Sequence, residues 1–248
     1  MVKTPTISEL FEAGVHFGHL SSKCHPKMKQ YIYGVRSNIH IIDLEKTVDK
    51  LKLALEFITK VVSQKGKVLL VGTIPQAKQL IKETAEKLDM PYVNERWLGG
   101  TLTNFKVIME KVKKMDRLAK EKEEGYWSRY TKKERLNLGR ELAKLKVAVA
   151  GLKELTKLPE AIFVVGLKKE KTVVQEAKAK NVPIIGLVNT NFNPELIDYP
   201  ILVNDKGIKS IQLIVSLVNQ AIMEGLEKAI HETKDVPSVA IKKTKNKI

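Results

Sequence analysis

Cysteine is almost missing from this 248-residue chain, which carries Cys24 alone. No intramolecular disulfide can form, so the fold rests on a hydrophobic core, and the composition fits a reducing compartment. Long apolar runs are also absent. Nothing approaches the ~18 consecutive apolar residues that mark a membrane-spanning helix. The N-terminus has Glu9 and Glu12 inside its first amphipathic stretch, and so reads as neither a signal nor a transit peptide. A cytoplasmic protein that starts at its functional N-terminus is the expectation, with no membrane partner. Dinucleotide binding lacks its signature too, because no G-x-G-x-x-G follows any candidate strand.

Acidic residues are in short supply: 28 Asp and Glu face 44 Lys and Arg, a formal net charge of +16. Such self-repulsion opposes compact folding, and a polyanionic partner would offset it. Nucleic acid is the first candidate and anionic lipid the second. The surplus is local. Residues 101–158 hold 12 Lys and 4 Arg against 8 acidic residues, half of the excess in under a quarter of the chain. Residues 231–248 add five Lys against two acids. Lys242 to Lys247 has no apolar period, as in a flexible basic tail that either lies along phosphates or simply solubilises the chain.

With 43% hydrophobic residues, the chain is long enough for one large domain, or a domain plus an excursion. Ile7, Leu10, Phe11 and Val15 lie at helical spacing with Ser8 as candidate N-cap, predicting a short opening helix. Residues 31–42 are rich in β-branched and aromatic side chains broken at Arg36-Ser37-Asn38, predicting a hairpin. A helical face follows at Leu44, Val48, Leu51, Leu55 and Ile58. Beyond residue 67, the runs 68–71, 161–165, 184–188 and 201–203 are continuously apolar, as in strands buried on both faces. Helical patterns at 76–88, 172–180 and 210–229 separate them, predicting a three-layer α/β domain with a parallel sheet. Its ligand positions would be Gly72-Thr73, Gly166-Leu167, Asn189-Thr190 and Asn204-Asp205, beyond the strand ends.

The excursion at 101–158 carries one stripe at Phe105, Met109, Val112, Met115 and Leu118 and a second at Leu138, Leu142, Leu145, Val149 and Leu152. The second has heptad spacing, so the arms are expected to zip into an antiparallel helical hairpin, projecting from the sheet or folded back as its cover. The division expected is an α/β domain from 1–100 and 159–230, the hairpin at 101–158 and a basic tail at 231–248.

Enzymatic readings fare poorly on the residues. Gly166 to Thr172 follows a strand and opens a helix like a phosphate loop, but Glu170 stands where the second glycine belongs. His16, His19, Cys24 and His25 offer soft ligands at a spacing unlike usual zinc sites, so no metal and no other cofactor is expected. Alternatively, His16 and His19 pack and hydrogen-bond near Lys23, Lys27, Lys29 and Arg36, within reach of phosphate or sugar. Cys24 has no nameable catalytic partner. RNA binding is favoured by residues 96–106, which gather Arg96, Trp97, Gly99, Gly100, Thr101, Thr103, Asn104 and Lys106. Glycines admit a close backbone approach, while hydroxyls and an amide bond phosphate or ribose. Trp97 is equally readable as a core anchor. A nucleotide- or metal-dependent enzyme acting on nucleic acid remains the alternative, since the fold class hosts many chemistries.

Several linked motifs carry a resemblance: Ala13-Gly14-Val15-His16-Phe17-Gly18-His19, Pro26-Lys27-Met28-Lys29, Tyr33-Gly34-Val35-Arg36, residues 40–47, Arg96-Trp97-Leu98-Gly99-Gly100, Leu102-Thr103-Asn104 and Thr131-Lys132-Lys133-Glu134. In order and spacing over about residues 7–230, the chain resembles the bacterial-type small-subunit ribosomal protein S-two family. The resemblance implies a non-enzymatic ribosomal protein with a flavodoxin-like sheet and a coiled-coil hairpin. It implies binding to small-subunit rRNA at the head–body junction, neighbouring ribosomal proteins, and recruitment of the S-one protein where present. No homo-oligomer is expected, and an organellar ribosome is as compatible as a bacterial one. The RNA-facing residues it implies are His16, Phe17, Gly18, His19, Lys27, Lys29, Arg36, Arg96, Trp97, Asn104, Lys106, Lys132 and Lys133.

Departures from the family pattern matter. Ile74-Pro75 stands where relatives carry a basic residue, leaving only Lys78 nearby. Acidic positions at the strand ends appear as Gly166, Asn189 and the Asn204-Asp205-Lys206 run, which removes hard ligands for a divalent ion. Cys24-His25-Pro26 replaces a Trp-Asn-Pro.

Overall fold

The computed structural model describes residues 4–234, with side chains through residue 230; the expected tail beyond Lys234, including Lys242 to Lys247, lies outside the described residues. The apolar runs past residue 67 become β4 (Val68–Gly72), β6 (Ala161–Val165), β7 (Ile184–Val188) and β8 (Tyr199–Leu202), joined by the two-residue edge strand β5 (Tyr92–Val93). All pair in parallel, in the order β5-β4-β6-β7-β8. This is the doubly wound flavodoxin-like order, whose direction reverses between β4 and β6. Every residue of β4, β6 and β7 is buried, which explains why these strands read as unbroken apolar runs rather than alternation.

Alternate side chains of those strands feed two cores. Val68, Leu70, Phe163, Val165, Ile185 and Leu187 pack with α2 (Leu44–Ser63), α3 (Pro75–Lys87) and α7 (Ile208–Lys234). On the other face, Leu69, Val71, Ile162, Val164, Ile184 and Val188 meet α6 (Lys171–Ala179) and the inner faces of α4 (Phe105–Glu123) and α5 (Lys132–Val149). α4 and α5 lie side by side, joined through a 3-10 turn at Tyr126–Arg129 and bridged by a Lys114–Glu141 ion pair. The buried face of α4 is Ile108, Val112, Met115 and Leu118, so the expected stripe holds at Val112, Met115 and Leu118 and differs only in the first turn, where Ile108 is inside while Phe105 and Met109 are half-buried.

The N-terminal region departs most from expectation. α1 (Ile7–Glu12) is capped by Thr6 rather than Ser8. Thr6 Oγ1 accepts from the Glu9 amide at 3.3 Å and Glu9 returns a 2.7 Å bond to the Thr6 amide, a reciprocal box that only a three-residue spacing allows. Gly14, at φ +69°, turns the chain out of the helix. Residues Phe17–Leu20, to which the sequence pattern assigned no element, form β1. With β2 (Ile32–Arg36) and β3 (Ile39–Ile42) it makes an antiparallel sheet in the order β1-β3-β2. The β2–β3 turn is Ser37-Asn38, both at positive φ, the conformation a two-residue hairpin requires.

The α2–α7 contact is close enough to override helix propensity. A Cβ on Gly225 would meet Val62 Cβ at 2.7 Å and the Thr59 carbonyl oxygen at 2.9 Å. Gly225→Ala should therefore lower stability by roughly 1–3 kcal/mol in urea denaturation, although alanine is the better helix former. An unchanged or raised midpoint would show that the two helices can separate freely.

Candidate nucleic-acid interface

In a doubly wound sheet, ligands enter where the strands end at the reversal of strand order. Here that position lies between β4 and β6, and the chain's own side chains fill it. Ile74 sits against Gly166, where an added Cβ would meet Ile74 Cγ2 at 2.7 Å. Glu170, only 5% exposed, accepts a hydrogen bond from the Thr73 hydroxyl, and Lys169 Nζ donates to the Thr73 carbonyl at 3.1 Å. A buried carboxylate at the start of α6 is the opposite of a phosphate cradle. Lys78, the nearby basic residue, pairs with Glu95 at 2.5 Å.

The neighbouring strand ends, after β7 and β8, are covered by the N-terminal sheet. The His19 amide donates to Thr190 Oγ1 at 2.8 Å, and the His25 amide to the Thr190 carbonyl at 2.8 Å. The Asn204 amide donates to the Val15 carbonyl at 3.1 Å. Gly18 permits this approach, since a Cβ there would lie 2.7 Å from Thr190 Cγ2 and 2.8 Å from the His40 carbonyl oxygen. Asn189 Nδ2 donates to Asp205 Oδ1 at 2.7 Å, so the remaining carboxylate of this region is engaged by an amide.

The histidines and Cys24 go to separate tasks. His16, 7% exposed, stacks on Phe11 with ring centroids 4.4 Å apart and leans on Phe17 at 4.1 Å; burial lowers its pKa. His19 Nε2 lies 3.0 Å from Asn191 Nδ2. His25 Nδ1 accepts from the Lys27 amide at 3.3 Å, and the Cys24 thiol donates to the His25 carbonyl at 3.4 Å. Burial pushes the Cys24 thiol up against the opposing pull of Lys29, the reverse of an activated nucleophile. Among the described residues no three His, Cys, Asp or Glu side chains gather as a metal-holding group.

A second cluster lies after β5. Trp97 is 7% exposed and belongs to the core beneath the sheet, so its indole braces the loop from inside. What shapes this loop is Glu176, on the inward face of α6. Its carboxylate accepts from Trp97 Nε1 at 3.1 Å, from the amides of Gly100, Leu102 and Thr103 at 2.8, 3.0 and 3.2 Å, and from Thr103 Oγ1 at 3.2 Å. Burial alone would raise its pKa, but these donors outweigh the desolvation and hold it below the ordinary value. The loop so fixed leaves Arg96, Asn104 and Lys106 exposed. Glu176 went unrecognised in the sequence reading. Its signal is an acidic residue on the same helical face as Val173 and Ala177, where an apolar one belongs.

The third cluster is at the start of α5. Thr131 and Glu134 form a capping box there, while exposed Lys132 and Lys133 occupy the first turn. Cations at that end oppose the helix dipole, so their placement costs stability that an external anion would return. The structure thus gathers His16, Phe17, Gly18, His19 and Arg36 on the N-terminal sheet, with Lys27 and Lys29 on the 3-10 turn Pro26–Tyr31 that precedes β2. Arg96, Trp97, Asn104 and Lys106 form a separate group, and Lys132 with Lys133 another. Lys27 is paired with Glu195. Lys29, Arg36, Arg96, Lys106, Lys132 and Lys133 are exposed, with no ion pair among the described residues.

A sheet closed at its strand-end crevice and carrying, among the described residues, cations without ion-pair partners on loops and helix ends defines an α/β scaffold with basic outworks. Known proteins agree. The model of the family described as ribosomal protein S2 matches residues 10–225. The small ribosomal subunit proteins uS2 of Dehalococcoides mccartyi strains BAV1 and CBDB1 are each 47% identical over 221 residues, covering 89% of this chain and 90% of theirs. That of strain 195 is 46% identical over the same span. The chain belongs to the ribosomal protein S2 family, as a structural protein rather than an enzyme, which sets the enzymatic alternative aside.

Glu176→Gln keeps the shape but replaces one acceptor oxygen with a donor facing other donors. It should cost roughly 2–4 kcal/mol and speed hydrogen exchange at the Gly100, Leu102 and Thr103 amides. Because the folded-state pKa is depressed, this stabilisation is fully present above the ordinary glutamate value of 4.5 and is lost as pH falls through the lower folded one. Wild type and variant should therefore converge in stability under acid. A constant gap down to the acid transition would mean that the carboxylate's charge is not what holds the loop.

Proposed function

We propose that this chain is a constituent of the small ribosomal subunit that binds small-subunit rRNA by shape and phosphate contact, in the cytoplasm or an organelle with its own ribosomes. The observation that carries the reading is the set of exposed cations without acidic partners, Lys29, Arg36, Arg96, Lys106, Lys132 and Lys133, beside a strand edge closed to small ligands. In this reading those side chains neutralise phosphates and Asn104 bonds the sugar-phosphate backbone. Phe17 and His19 present the edge of the N-terminal sheet, Gly18 lets it sit close, and His16 and Trp97 brace from within. Lys27 exchanges Glu195 for a phosphate on assembly. The site on the subunit is the head–body junction, residues 101–158 act as an arm along the RNA, and the S-one protein is recruited where the organism has one.

Co-sedimentation of the full chain with small subunits after a moderately high-salt wash tests the reading, with copy number per particle as the readout. Near-unit stoichiometry is expected, and recovery only in light fractions would refute it. Affinity for purified small-subunit rRNA should fall with salt at a log–log slope of roughly −0.7 to −0.9 per phosphate contact. Lys132→Glu combined with Lys133→Glu should move two quantities in opposite directions. Removing two cations from the α5 N-terminus and adding two anions should raise thermal stability by about 0.3–1 kcal/mol per site, while the salt slope for RNA becomes shallower. A variant that loses stability and keeps the slope would contradict the role given to these lysines.

A further inference from the structure

The turn between α4 and α5 carries features that phosphate binding does not use. Gly125, at φ +74°, swings the chain out of α4. Trp127, 8% exposed, anchors the turn in the core between the helices. The Ser128 amide donates to the Gly125 carbonyl at 3.0 Å and the Tyr130 amide to the Trp127 carbonyl at 3.2 Å. On this fixed frame Tyr126 and Tyr130 stand 46% and 45% exposed, and with Glu121 and Arg129 they line a cleft of about 500 Å³. The Arg129 guanidinium lies 5.5 Å from the centre of the Tyr126 ring. From residue 121 to 140 the charged side chains are Lys122, Arg129, Lys132, Lys133, Arg135 and Arg140 against Glu121, Glu123, Glu124 and Glu134; Glu121, which lines the cleft, is paired with Arg117 at 3.7 Å, and Glu134 is engaged with Thr131 in the capping box.

We propose that this cleft is a stacking site for an unpaired RNA base, with Tyr126 and Tyr130 as its aromatic faces and Arg129 as the cation that meets the adjoining phosphate. The inference rests on the RNA-binding reading and specifies which RNA the turn takes. A-form duplex shows phosphates and ribose hydroxyls while its base faces stay stacked inside, so exposed phenol rings gain nothing from it. A splayed base offers a π-face to any aromatic ring, and aromatic rings interleaved with Arg and Lys are the usual furniture of single-strand sites. Rigidity adds to the case. Trp127 holds the turn in place, so neither tyrosine has to give up backbone freedom on binding.

The test uses the full chain with three probes: a short single-stranded oligonucleotide, a blunt duplex of the same length, and intact small subunits. Tyr126→Ala with Tyr130→Ala should weaken single-strand binding on the order of 10-fold or more and leave duplex binding within twofold. Tyr126→Phe with Tyr130→Phe should retain both. Thermal unfolding of each variant confirms that the exposed substitutions leave the fold intact. Equal loss on both RNAs, no loss on either, or loss in the phenylalanine pair overturns the proposal. So does reduced retention on subunits with unchanged oligonucleotide affinity, which would turn the cleft toward a neighbouring protein. If the wild-type chain itself fails to stay on washed subunits, the broader reading has failed, a result separate from all of these.

Discussion

The carboxylate of Glu176 accepts hydrogen bonds from Trp97, Gly100, Leu102 and Thr103, and through them α6 dictates the path of the chain between β5 and α4. That path matters twice. It sets Arg96, Asn104 and Lys106 outward, and it delivers the chain to the first turn of α4, whose inner face then joins α5. An ionised group is suited to the task because it takes several backbone donors at once, each contributing more than a neutral acceptor would. It also makes the arrangement all-or-none, since a buried carboxylate stripped of its donors is more costly than an apolar residue in its place.

The second organising contact is the seating of the N-terminal sheet on the ends of β7 and β8. A parallel sheet flanked by helices leaves a crevice at its carboxyl edge, and most proteins of this architecture place chemistry there. In this chain Thr190, Asn189, Asn204 and Asp205 spend their polar groups on the protein itself, and Glu170 does the same beside Thr73. In the RNA-binding reading proposed above, binding lies not in the crevice but at the periphery, where cations stand on loops and helix starts. The scaffold supplies positions rather than a pocket, which suits a ligand as large and as uniformly charged as folded RNA.

How much of this was legible depends on the range over which each feature is determined. β4, β6, β7 and β8 announced themselves because burial on both faces demands continuous apolar runs, and α2 because one helical face recurs from Leu44 to Ile58. The Ser37-Asn38 turn carried its own chemistry. β5 escaped notice, since two residues give no period. The opening helix was legible from Ile7, Leu10 and Phe11 and from its close at Gly14, whereas β1, four residues with no clear alternation of burial, gave no signal of its own. Of the candidate interface, the cations were visible as composition and the loop at 96–106 as an unusual mixture of residues. The partner that shapes the loop lies 73 to 79 positions away, and nothing in its local sequence says which backbone it will hold.

The contact between His19 and Thr190 spans 171 positions, and a chain is made from its N-terminus. The first sheet therefore emerges long before its seat exists, and must await β7 and β8. Throughout that interval it is at most a three-stranded ribbon, with Val15, Met28 and Ile42, all buried in the finished fold, still unsheltered, and it is marginal as an independent unit. Contacts so distant in sequence form slowly because loop closure precedes their reward. Closure of the strand edge is thus a late event in the life of the molecule, and a chain truncated before residue 190 cannot reach it.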